Sequence, residues 1–142
     1  MDDAFDPAEA EAALRVARSQ TGGRLIAVAG CVGMRNRERR VPVGLALGRY
    51  AHRVYLTADD PGFESVSEIA ADMMAEVTAH DIFTVVEDRT EAIRQAVREA
   101  RPGDTVLLLG KGYEPCQEIG SRRIPYAERD VLMQVLRENR QK

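Results

Sequence analysis

Residues 24–30 read Arg-Leu-Ile-Ala-Val-Ala-Gly (RLIAVAG), and this run decides the fold class. A strand with one face on water alternates apolar and polar residues, whereas a strand covered on both faces does not. The unbroken apolar stretch Leu25 to Ala29 therefore predicts a strand sandwiched between two layers. Three similar runs follow: Val54 to Ala58 (VYLTA), Phe83 to Val86, and Thr105 to Leu109 (TVLLL), the last expected to be the most buried.

Helical patterns fill the gaps. Asp6-Pro7 opens the first, with Ala10, Ala13, Leu14 and Ala17 as its apolar stripe and Gly22-Gly23 at its end. Val41 to Tyr50 is small and apolar, with Gly44 and Gly48 allowing close approach to a neighbour. Ser65 or Ser67 caps a helix bearing Ile69, Met73 and Val77, and Thr90 caps one bearing Ile93, Ala96, Val97 and Ala100. The turn Arg101-Pro102-Gly103-Asp104 precedes the fourth strand. In the tail, Cys116 to Ile119 and Arg122 to Ile124 flank Gly120-Ser121 as a hairpin, before a last helix carrying Val131, Leu132, Val135 and Leu136. Strand–helix alternation implies an α/β domain over residues 1–142. The expected architecture is a three-layer αβα sandwich, its sheet mostly parallel, with an antiparallel hairpin near the C-terminus.

At 44% hydrophobic and 30% charged residues, the chain has the make-up of a soluble globular domain. A net charge of -3 argues against nucleic-acid or anionic-membrane partners. There is neither a signal peptide nor an apolar run near the ~18 residues of a membrane span, so a cytoplasmic location is expected. Cys31 and Cys116 form no C-x-x-C pair and lie near no histidine cluster, which leaves no Cys/His zinc site and no expected metal. His52 and His80 read as surface residues. No Ser/His/Asp or Cys/His pair offers a catalytic nucleophile.

In an open α/β sheet, ligands bind beyond the carboxyl ends of the strands. Three loops fall there: 30–37 (GCVGMRNR), 59–62 (DDPG) and 110–115 (GKGYEP). Together they bring arginines, carboxylates and a glycine-framed lysine to one rim, a mixture that suits a zwitterion. A guanidinium fork matches a carboxylate, and Asp59, Asp60 and Glu114 match an ammonium. The same residues also make ordinary structure. Asp-Asp-Pro-Gly is good turn chemistry, G-x-G is often a tight turn, and the run Arg35, Arg37, Arg39, Arg40 reads equally as a solvated face.

These loops resemble those of one family. Gly30-Cys31-Val32-Gly33-Met34-Arg35-Asn36 is similar to the G-C-G-G-D-R-D loop of tripeptide-forming Mur ligases, and Leu56 to Pro61 is similar to their substrate-selecting loop. Asp88-Arg89 with Glu91-Ala92-Ile93 resembles D-R-x-E-A-I. Gly110 to Glu114, with Gln117, Ile119, Gly120 and Ile124-Pro125, resembles G-K-G-H-E and the hairpin after it. Asp2 to Pro7 resembles the D-Y-A-H-x-P hinge. The resemblance runs the length of the chain in the right order. It implies the Rossmann-like C-terminal domain of a UDP-N-acetylmuramoyl-tripeptide synthetase, a peptidoglycan enzyme of cell shape and division.

In such a ligase ATP, with Mg2+, phosphorylates the carboxylate of a UDP-MurNAc-dipeptide, and the amine of a free amino acid displaces the phosphate. The N-terminal and central ATPase domains would be this domain's partners. The chain carries no G-x-x-x-x-G-K-[ST], so no cofactor is expected on it alone and the isolated domain is expected to be inactive. Carried over residue by residue, the resemblance makes Arg35, Asp59, Asp60, Gly110 and Glu114 the amino-acid contacts. It sets Asp2 and Lys111 toward the nucleotide. Enzymes selecting diaminopimelate carry D-N-P-R where this chain has Asp59-Asp60-Pro61-Gly62, so a basic, L-lysine-like amino acid is expected. The alternative is a free-standing binding module for an amino acid or nucleotide, without catalysis.

Overall fold

A computed structural model describes residues 6–112 and 114–140. Its elements run α1 (Pro7–Gln20), β1 (Leu25–Ala29), α2 (Arg40–Tyr50), β2 (Arg53–Leu56), α3 (Val66–Met74), β3 (Phe83–Val85), α4 (Arg89–Glu99), β4 (Thr105–Leu108), β5 (Cys116–Ile119), β6 (Arg122–Pro125) and α5 (Glu128–Arg140). β1 to β4 form one parallel sheet in the order β3-β2-β1-β4. β1 is central, and each of its residues is at most 1% exposed. Its side chains alternate between two cores. Leu25, Ala27 and Ala29 pack with Leu14, Leu47, Ile69 and Met73 of α1 to α3. Ile26 and Val28 pack with Ile93, Ala96 and Val97 of α4 and Val135 of α5. The three-layer sandwich follows from that alternation.

Local chemistry sets the helix starts. Asp6 caps α1 by accepting the Glu9 N–H at 2.8 Å, and Pro7 stands at the first helical position. Ser65, not Ser67, caps α3 through the Glu68 N–H. The cap of α4 is Asp88 rather than Thr90, because the Asp88 carboxylate accepts the Glu91 N–H at 3.1 Å and Thr90 already lies in the helix. At Gly44 a Cβ would collide with the Met73 carbonyl, so glycine is what lets α2 and α3 approach.

Two further expectations change. β4 is not the most buried strand: it has one neighbour, β1, and Thr105, Val106 and Leu107 are only half-buried. The hairpin β5–β6 is antiparallel, as expected, and forms a two-stranded sheet of its own. It is tied to the rest through the β2–α3 loop, where Gly62 donates to the Glu118 carbonyl and accepts from Gly120. His52 is not a plain surface residue, since its Nδ1 accepts the Leu25 N–H at 2.8 Å.

Arg89, the first residue of α4, is fully buried. Its guanidinium forks onto the buried Glu128 carboxylate at 2.7 and 2.9 Å. It also donates to the carbonyls of Ala58 (3.1 Å) and Leu109 (2.9 Å), and the Tyr126 hydroxyl donates to Glu128 at 2.6 Å. One side chain thus joins α4, α5 and the residues that follow β2 and β4. Glu128→Ala should cost about 3–5 kcal/mol in urea denaturation, because it strands a buried guanidinium. Arg89→Met with Glu128→Leu should cost clearly less than Glu128→Ala alone. A double variant at least as unstable as the single one refutes that account.

Candidate functional site

The loops after β1, β2 and β4 converge, as the sheet topology requires, around a cavity of about 490 Å³. Arg35, Asp59, Asp60, Gly110 and Glu114 all line it, so the structure brings together the five amino-acid contacts that the resemblance implied. Asp2, placed near the nucleotide by the same resemblance, lies outside the described residues. Asp6, Cys31, Arg39, Cys116, Glu118 and Arg123 line the cavity as well.

The arginine run divides by role. Arg40 is buried and holds Glu64 at 2.9 and 3.0 Å, Asp72 at 2.8 Å and the Val32 carbonyl at 3.2 Å. Arg37 pairs with the same Glu64 at 3.4 Å. Hydrogen bonds from Arg40, and then from the Met34 N–H, hold the Glu64 carboxyl well below the usual carboxylate range. This brace fixes a loop whose backbone is left-handed at Met34 (φ 72°) and Asn36 (φ 54°). Arg35, between those two residues, is exposed, lines the cavity and has no ion pair among the described residues. The run is therefore structural at Arg40 and open to an anion at Arg35.

Lys111, set toward the nucleotide by the resemblance, has a side chain that is 0% exposed, and its ammonium turns inward. Nζ donates to Asp60 Oδ1 (2.9 Å), Glu114 Oε2 (3.0 Å) and the Cys116 carbonyl (2.8 Å). Burial pulls this ammonium's pKa down, but the bonds to Asp60 and Glu114 outweigh it and hold the group above its ordinary value. The carboxylates of Asp59, Asp60 and Glu114 lie within 4.8 Å of one another, a spacing that fits a cation. Lys111 supplies that cation from the chain itself.

Asp60 is spent twice, since the oxygen that takes Lys111 also accepts the Glu118 N–H at 2.8 Å. It ties the β2–α3 loop to the hairpin, and Gln117 reinforces that tie by donating to the Asp59 carbonyl at 2.9 Å. Asp59 is the opposite case. It is 7% exposed, its buried Oδ1 has no hydrogen-bond partner among the described residues, and Lys111 Nζ stands 3.7 Å away. Burial pushes its carboxyl up to about 6, against the pull of Arg89 and Lys111. Gly110 makes room for it: φ there is +107°, and a Cβ would fall 2.8 Å from Asp59 Oδ2.

Two free cysteines face the cavity. Burial pushes the Cys31 thiol up to about 12, which leaves it without nucleophilic character at neutral pH. Sequence reasoning missed Arg123 and Glu118, paired at 3.2 Å on the hairpin, because nothing in their spacing says that β5–β6 folds over the rim. Beside the cavity, Arg35, Gly62, Phe63, Arg122 and Arg123 line a second hollow of about 430 Å³.

Comparison with known proteins agrees with this geometry. The family described as Mur ligase, glutamate ligase domain matches residues 1–112. A Synechococcus elongatus protein named UDP-N-acetylmuramoyl-L-alanyl-D-glutamate–2,6-diaminopimelate ligase is 41% identical over 138 residues, covering 97% of this chain and 28% of that protein. Its namesake from Streptomyces coelicolor is 42% identical over 132 residues, covering 89% of this chain and 26% of that protein. This chain thus spans little more than a quarter of the length of these relatives. A solved structure of a ligase with the same name superposes with a TM-score of 0.89 at 30% identity, over 96% of this chain and 28% of that one. A folylpolyglutamate synthase/dihydrofolate synthase from Yersinia pestis shares the fold alone, at TM-score 0.60 and 18% identity over 78% of this chain and 25% of that one.

Asp59 gives the site a measurable signature. Its folded pKa lies above its ordinary value of 3.8, so its contribution to stability is present below that value and is lost as pH rises through about 6. Asp59→Asn should therefore raise stability at pH 7, by as much as about 3 kcal/mol for a shift of this size. The gain over wild type should shrink as pH falls toward 4. Equal thermal-unfolding differences at pH 4 and pH 7 count against a charged, buried Asp59.

Proposed function

The chain belongs to the Mur ligase family as its C-terminal, glutamate ligase domain, and from that membership we propose that it binds the incoming amino acid of an ATP-dependent amide ligase in peptidoglycan synthesis. The acceptor would be a UDP-N-acetylmuramoyl-dipeptide, the class of substrate that the relatives' names record. The observation that carries this reading is the presence, in one cavity, of a guanidinium at Arg35 with no ion pair among the described residues and of a buried Asp59 oxygen that lacks a hydrogen-bond donor among them. Arg35 takes the carboxylate of the amino acid. The domain then presents the amine to the activated dipeptide, converting an encounter between two solutes into a reaction within one site.

ATP and Mg2+ are taken to belong mainly to the central domain of the full-length ligase. The sequence has no phosphate-binding G-x-x-x-x-G-K-[ST] run, and Lys111 fills the acidic trio that would suit a cation. Nucleotide chemistry is assigned to the central domain of the ligase, and this domain contributes binding and positioning.

For the amino acid we favour 2,6-diaminopimelate. Asp60, expected to repel a second carboxylate, is neutralised by Lys111, and the exposed Arg123 of the lining, paired with Glu118 at 3.2 Å, is a cation for which a second carboxylate can compete. Gly62, which brings no cation of its own, is what favours L-lysine instead. Titration of the 15N-labelled chain with each amino acid distinguishes them. Diaminopimelate should bind more tightly than L-lysine, and Arg123→Ala should narrow the difference. Arg35→Ala should weaken both about 10- to 100-fold, the loss of a charge-assisted fork. If lysine outcompetes diaminopimelate, the Gly62 reading stands and the diaminopimelate one falls.

A further inference from the structure

Ladder bonding in the parallel sheet stops just short of the cavity. The Thr57 N–H donates to the Ala29 carbonyl and the Leu109 N–H to the Val28 carbonyl, both at 2.9 Å. The chain beyond these bonds, Asp59 and Asp60 on one side and Gly110 on the other, lines the cavity. The two sides meet there, since a Cβ on Gly110 would fall 2.8 Å from Asp59 Oδ2. Backbone past the end of a ladder needs other partners to fix its spacing. Arg89 bonds to both sides at that point, through Nη1 to the Ala58 carbonyl at 3.1 Å and Nη2 to the Leu109 carbonyl at 2.9 Å. Gln117, on the hairpin, also reaches the Asp59 carbonyl at 2.9 Å and the Ala58 carbonyl at 3.4 Å, both of them on the β2 side.

We propose that Arg89 is a positioning residue of the amino-acid site: from behind the cavity wall it fixes the gap between the ends of β2 and β4, and with it the width of the cavity. This rests on the amino-acid-binding function proposed above. Arg89 is fully buried and is not part of the lining, so it acts through the residues that are. Its own orientation is set from α5, where Glu128 accepts from Nε and Nη2. A planar fork can hold one carboxylate and two separate carbonyls at fixed angles, which a lysine ammonium on a flexible stem cannot. The same charge reaches the site through space. Burial drives the Asp59 carboxyl up, Arg89 and then Lys111 draw it down, and Asp60 and Glu114 raise it again. The Cys31 thiol is a further titratable group within reach of that carboxylate.

Calorimetric titration of this chain with meso-diaminopimelate or L-lysine, whichever wild type binds more tightly, tests the assignment. Arg89→Lys keeps the charge without the fork, and Arg89→Met with Glu128→Leu removes both. Each should weaken binding about 3- to 30-fold, the range for a residue that acts on a site without touching its ligand. Ile93→Val, a core change in the same helix, should alter the affinity no more than about twofold. In wild type, saturating ligand should move the 13C resonances of the Ala58 and Leu109 carbonyls. In the double variant the Asp59 carboxyl should titrate above its wild-type value of about 6. Unchanged affinity in both Arg89 variants, an equal loss in Ile93→Val, carbonyl resonances that ignore the ligand, or an unmoved Asp59 titration overturns the assignment and leaves the functional reading in place. Binding of neither amino acid to wild type overturns the functional reading and this one with it.

Discussion

A guanidinium buried without water must place every donor on an acceptor. At Arg89 this requirement organises much of the domain. Two donors take Glu128 at the start of α5, one takes the Ala58 carbonyl and one the Leu109 carbonyl. Ala58 and Leu109 immediately precede Asp59 and Gly110, the two residues that meet in the cavity. β2 and β4 are not neighbours, since β1 lies between them. Ladder bonds join their ends only through β1, and Arg89 spans the two ends directly. Tyr126 completes the arrangement by donating to Glu128, and burial together with that carboxylate pushes the phenol's pKa far above its ordinary range.

A second buried charge works on the opposite side of the same loops. Lys111 collects Asp60, Glu114 and the Cys116 carbonyl, and so binds the selecting loop to the segment that leads into the hairpin. Arg40 does the equivalent for the loop after β1, through Glu64 and Asp72. The rim is thus a set of three cation-centred knots. Each knot uses up charges that a reading by residue type would assign to a ligand. What these knots leave over is small: Arg35 at the edge and, within the cavity, an Asp59 oxygen that has Lys111 3.7 Å away but no hydrogen-bond donor among the described residues.

This explains how much was legible in the sequence. Strand positions were, because burial on both faces leaves an unbroken apolar run at Leu25 to Ala29 that no other environment explains as well. The convergence of three loops was legible too, since it follows from strand direction. The rank of β4 was not, because an apolar run records composition while edge position depends on which strands pair. The α4 cap went to Thr90 rather than Asp88, two residues of similar capping propensity separated by one position. Lys111 was set toward the nucleotide by the resemblance alone, and the structure shows its side chain buried. Its inward turn depends on Asp60, fifty-one residues earlier in the chain, and local spacing carries no trace of that pair.

The cost of Asp59 bears on why the site has this form. Replacing a buried ion cluster by apolar residues often stabilises a protein, so evolution has an easy route to remove such groups. The Arg89–Glu128 pair escapes that argument because every guanidinium nitrogen has an acceptor and the pair fixes geometry. Asp59 does not escape it, since its oxygen lacks a donor and its carboxyl titrates near neutrality. Glycine at position 110, in a backbone conformation other residues avoid, adds its own conformational penalty in order to make room for that carboxylate. Two destabilising choices at one point of contact are hard to explain by folding alone. They are consistent with the ligand-binding role proposed for this cavity, since a group to which the fold gives no donor is one that a ligand can reach.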